Sequence, residues 1–89
     1  MEKSKRVKIT CNIVSETSSD IATCICNINY DKYDATDKQI LESAQLQFVN
    51  NFFDINKALP IVMLDNNPTV YNREKIIRVS VTKAEIIKE

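Results

Sequence analysis

Few residues of this 89-residue chain have the types and spacing to do chemistry. They are three cysteines (Cys11, Cys24, Cys26), aspartates at intervals of three (Asp31, Asp34, Asp37), the tyrosines Tyr30 and Tyr33, and a basic cluster of Lys3, Lys5, Arg6 and Lys8. Thiolates bind zinc, but a structural zinc site takes four Cys or His ligands, and this chain has three cysteines and no histidine. We read the thiols as buried, reduced and structural, holding no metal and no cofactor. Closely spaced aspartates suggest a calcium loop, yet the helix-loop-helix type needs a glycine turn and a closing bidentate glutamate, neither of which is present. They are better explained as the acidic, solvated approach to a helix N-terminus.

Tyr30 and Tyr33, with Asn27 and Asn29, form a polar-aromatic patch that could stack a base or anchor a protein partner. Stacking platforms come with basic grooves, whereas the charges here are mixed, so rim tyrosines and a protein anchor are the readings that remain. The basic cluster could meet phosphate or an acidic surface, or could simply guard a strand edge against aggregation.

What is missing excludes more. With no histidine the chain lacks the side chain that titrates near neutrality, and with no glycine it lacks the residue that phosphate-cradling loops, dinucleotide fingerprints and nucleophile elbows require. We therefore do not expect an enzyme. Twelve basic residues balance twelve acidic ones, so no overall field favours nucleic acid or an anionic membrane. No apolar run is long enough to span a bilayer, and the polar start leads into an alternating segment rather than a signal-peptide core, which suggests a cytoplasmic protein. At 89 residues and 44% apolar content, residues 1–89 suit a single domain with one core. The counts of Ile (12), Asn (9) and Lys (9) reflect AT-rich codons, as in low-GC Gram-positive bacteria and their phages or plasmids.

The elements that must position these residues are legible as patterns. Residues 7–13 alternate apolar and polar, the period of a half-buried strand. Polar residues 15–20 read as a turn, and 21–30 as a second strand with Cys24, Cys26, Ile28 and Tyr30 on one face and Ile21, Thr23 and Ile25 on the other. Register through that turn would pair Ile13 with Ala22, Cys11 with Cys24 and Ile9 with Cys26. Thr36 and Gln39 form a capping box, with Asp37 in the first turn. Leu41, Ala44, Phe48, Phe52, Ile55 and Leu59 continue as a helical stripe flanked by Ile40, Val49 and Phe53, ending at Leu59 at the latest because Pro60 follows. Residues 61–64 read as a short strand and 65–68 as a turn, after which 69–71 could re-enter the sheet. Ile77, Val79 and Val81 are the inward positions of a last strand.

Residues 28–37, with their Asp-Ala-Thr-Asp helix start, together with Ile77-Arg78-Val79, resemble a family of short uncharacterised proteins of Bacillus and Clostridium type. The resemblance implies a strand-helix-strand order and no activity.

The expectation is an α+β fold, a two-layer ββαββ arrangement with one helix on a single, mostly antiparallel sheet. The expected role is that of a non-enzymatic interaction protein, encoded by a phage or mobile element and inhibiting a host or defence protein. It would bind through the open sheet face or edge, with Ile21, Ile25, Tyr30 and Tyr33 as contacts. A self-associating virion or assembly component, joined through the sheet face or edge, is the first alternative and a nucleic-acid-binding module the second.

Overall fold

A computed structural model describes residues 3–30 and 36–87. Two long strands, β1 (Lys3–Ser15) and β2 (Ser19–Tyr30), form a hairpin, and the helix α1 (Asp37–Phe53) follows. Then come the short strands β3 (Val62–Leu64) and β4 (Asn67–Thr69), a 3-10 turn at Arg73–Lys75, and β5 (Ile76–Ile86). All strand pairs are antiparallel, in the order β4-β3-β2-β1-β5. The class is α+β with the helix across one sheet face, but the order is ββαβββ rather than ββαββ. No described helix is long and apolar enough to cross a membrane.

The extra strand comes from residues 65–68, which are a hairpin and not only a turn. Asp65 and Asn66 have φ values of 49° and 65°. Two consecutive left-handed residues make the tight two-residue turn that matches strand twist, usually with glycine. In a chain without glycine, short side chains that tolerate this region take its place. Pro68, which cannot donate to a ladder, sits on the edge strand β4.

The β1–β2 turn is tighter than residues 15–20 suggest. The Ser15 amide donates to the Ser18 carbonyl at 2.8 Å, and the Ser18 amide donates to Ser15 Oγ at 3.2 Å, so the serines satisfy one another and pairing runs on to Val14 and Ser19. The register is therefore two residues from the expected one: Cys11 faces Ala22, Ile9 faces Cys24 and Val7 faces Cys26. A shift of two preserves the faces, so Cys11 and Cys24 still share the core side.

Thr36 caps α1 as its sequence implies, with Gln39 N–H donating to Thr36 Oγ1 at 3.2 Å and Thr36 N–H donating to Gln39 Oε1 at 2.9 Å. The helix ends at Phe53, well before Leu59, because Asp54 turns extended and its carboxylate accepts from the Asn56 amide at 2.9 Å. Ile55 is consequently exposed and not part of the stripe. Arg73 completes this terminus from far along the chain, donating to the carbonyls of Phe52 (2.8 Å), Asn51 (3.0 Å) and Lys57 (2.7 Å). A cation there satisfies orphan carbonyls at the negative end of the helix dipole.

The core lies between α1 and the sheet. Ile40, Ala44, Phe48 and Phe52 pack on Val7, Ile9, Cys11 and Ile13 of β1, Ala22 and Ile28 of β2, Val62 of β3, and Ile76 and Val79 of β5. The Phe48 and Phe52 rings meet edge to face with centroids 5.0 Å apart. On β5 the alternation is broken twice. Ser15 faces Ile76 and Val14 faces Arg78, leaving Ile77 as an extra residue; Cys11 faces Val81 and Thr10 faces Lys83, leaving Thr82 extra. The bulge turns Ile77 outward, 64% exposed, which corrects its expected core position. Thr82 Oγ1 donates to the Thr10 carbonyl at 3.1 Å.

Candidate interaction surface

Residues directly opposite in an antiparallel ladder share a face, so register fixes the composition of the side that α1 leaves open. Arg6, Lys8, Thr10, Asn12 and Val14 come from β1 and Ile21, Thr23, Ile25 and Asn27 from β2. Met63 joins them beside Thr23, and Arg78, Ser80, Lys83 and Glu85 come from β5. An apolar strip results along β2 and β3, with Ile21 74%, Ile25 56% and Met63 36% exposed. Beside it runs a basic stripe of Arg6, Lys8, Arg78 and Lys83. Among the described residues of these ladders, Glu85 is the one carboxylate on this face, 3.9 Å from Lys83 Nζ. A chain of zero formal charge thus carries local positive charge, invisible in its composition.

Ile21 and Ile25 stand where the alternation of β2 puts them, on the open face. Tyr30 ends β2 opposite Lys3, and Tyr33, Asp31 and Asp34 lie outside the described residues. The basic cluster is divided by strand alternation: Arg6 and Lys8 join the open face, while Lys5 Nζ meets Asp37 Oδ1 at 3.1 Å by the helix start. Sequence reading missed Arg78, Lys83 and Met63 as members of this surface. The β5 polar positions hinted at the first two, but only the pairing of β5 with β1 joins them to Lys8.

The thiols lie on the core side. Cys11 is buried, and burial pushes it from the ordinary 9.0 up to about 11, against a smaller opposing effect from the Ala22 backbone hydrogen bond. Cys24 and Cys26, two apart on one strand face, are half-buried; their mutual interaction, with burial, raises the Cys24 thiol, and the same interaction lowers that of Cys26. Among the described residues no group of three Cys, Asp or Glu side chains is placed to hold a metal ion. Tyr71 Oη donates to Asp20 Oδ2 at 2.8 Å; burial first, then this bond, raises its pKa.

No protein-family model, curated protein or solved structure matches the chain.

Proposed function

We propose that this protein is a small non-enzymatic interaction module that binds a protein partner through the open face of its sheet. The observation that carries the proposal is the juxtaposition of an exposed apolar strip, Ile21, Ile25 and Met63, with the cations of β1 and β5. Apolar contact supplies association energy and a charged flank supplies orientation and rate, the division of labour of protein interfaces. The partner surface that fits has an apolar centre with carboxylates along one side. A single-stranded nucleic acid fits less well, because no described residue of this face is aromatic and phosphates make no use of the apolar strip. Action in the cytoplasm as an inhibitor of a host or defence protein is the concrete form we favour; the Ile-, Asn- and Lys-rich composition, whose codons are rich in A and T, supports a phage or mobile element as its source.

The test is affinity capture from the host cell with wild type, Ile21→Asp, Lys8→Glu, and the helix variants Lys38→Glu and Glu42→Lys, run beside a mobility shift with a thymidine oligonucleotide. A protein retained by wild type and both helix variants but lost by Ile21→Asp and Lys8→Glu supports the proposal. A salt-dependent oligonucleotide shift that Lys8→Glu abolishes, with no protein retained, overturns it in favour of nucleic-acid binding.

A further inference from the structure

A structural zinc site asks for four ligands, but a soft monovalent ion asks for fewer. Cu(I) has a filled d shell, prefers thiolate sulfur, and is satisfied by two such ligands in a near-linear arrangement. Cys24 and Cys26 are two apart on β2, so their Cα atoms stand about 7 Å apart and both side chains leave the same side of the strand. Cys24 Sγ lies 3.9 Å from the Ile25 carbonyl oxygen, so it leans along the strand toward Cys26, and the two thiols are near enough to act on one another. Their neighbours on that side are apolar: Ile9 and Val7 directly across on β1, and Ala22 and Ile28 along β2. All four of these are buried, yet Cys24 and Cys26 are only half-buried. Cys11 shares the side but is fully buried, opposite Ala22 rather than either of them.

We propose that Cys24 and Cys26 form a two-thiolate site for Cu(I). Each thiol gives up its proton to solvent as its sulfur takes the ion, and no electron is transferred. The product carries one net negative charge, from two thiolates and one monovalent cation. Half-burial leaves that charge in contact with water, whereas at Cys11 it would be taken into the core, where an uncompensated charge is costly. Hard cations take oxygen ligands and structural zinc takes four donors, and among the described residues no group of three Cys, Asp or Glu side chains is placed to supply either. Ligand number and softness thus select the ion. The site lies on the opposite side of the sheet from Ile21 and Ile25, so it is independent of the proposed partner surface.

Anaerobic titration of the reduced full-length protein with Cu(I), in competition with the chelator bicinchoninate, tests the site, with Cys24→Ser, Cys26→Ser and Cys11→Ala alongside. The wild type retains one ion per chain, and X-ray absorption at the copper edge finds two sulfur neighbours. Cys24→Ser and Cys26→Ser each weaken binding at least about tenfold with an unchanged circular dichroism spectrum, because losing a ligand costs no less than losing the outer partner of one. Cys11→Ala binds as the wild type does. Bound Cu(I) also raises the urea midpoint of the wild type, since the folded strand holds both sulfurs on one side and the unfolded chain does not. A wild type that yields all its copper to the chelator overturns the proposal. So does one ion shared by two chains, a third sulfur neighbour lost with Cys11→Ala, or an unchanged urea midpoint, which would mark thiols that bind equally well without the fold.

Discussion

The two faces of β2 carry comparable side chains and opposite fates. Ala22 and Ile28 are buried, while Ile21 and Ile25, one position away, are 74% and 56% exposed. Apolar character does not decide which face becomes core; the layer laid over it does, and α1 covers one side only. Apolar residues on the uncovered side contribute little to folding, and in the function we propose they serve contact with another molecule. Substitutions on the covered face should therefore cost the fold most, and those on the uncovered face least.

The largest effect belongs to the helix residues that cover the core side. Phe48→Ala or Phe52→Ala removes a fully buried ring and is expected to cost about 3–5 kcal/mol, against changes within about 0.5 kcal/mol for Gln45→Ala. Urea unfolding measures both. Equal losses at Phe48 and Gln45 would mean that the covered face is wrongly assigned.

Next is Arg73, which holds the end of that covering helix. Arg73→Ala leaves three carbonyls without their charged donor, and a loss of about 2 kcal/mol is expected, with Arg73→Lys recovering part of it. Amide exchange should show the loss concentrated in the last turn of α1. Unchanged protection there would contradict the capping role.

The Cys11 thiol reports the dryness of the covered face through pH. Its folded pKa is raised from 9.0 to about 11, so the folded state favours the protonated form. The resulting stability is fully present below pH 9 and is lost as pH rises through about 11, by up to about 3 kcal/mol. Cys24 and Tyr71 are also raised, so the comparison is with Cys11→Ala, whose unfolding midpoint should fall less steeply over this window than that of wild type. Parallel pH profiles would place the Cys11 thiol in contact with water.

How much of this was legible in sequence follows the range of the interactions. The capping box of Thr36 and Gln39 spans three residues, and the alternation of residues 7–13 needs no partner, so both were readable. The faces of β2 were readable for the same reason, Ile21 and Ile25 included. The exact hairpin register was not, because it depends on how Ser15 and Ser18 bond to each other rather than on turn composition. The bulges at Ile77 and Thr82 exist only in relation to β1, and the Arg73 cap joins residues 21 and 22 apart, beyond any periodic pattern. The β3–β4 hairpin was hidden by the missing glycine, although Asp65-Asn66 is an acceptable substitute. The basic stripe was least legible, since it joins Arg6 and Lys8 to Arg78 and Lys83 across a strand pairing that a neutral net charge conceals.

The smallest effect on the fold is the most informative for function. Ile21→Asp places a carboxylate on the uncovered face and should change stability by no more than about 0.5 kcal/mol. The direct test is therefore to measure the unfolding midpoint and the partner retention of Ile21→Asp on the same preparation, with Lys38→Glu as reference. Ile21→Asp is expected to melt like wild type and lose the partner while Lys38→Glu keeps it. Normal retention by Ile21→Asp alongside loss by Lys38→Glu would put the interface on the helix and contradict the account.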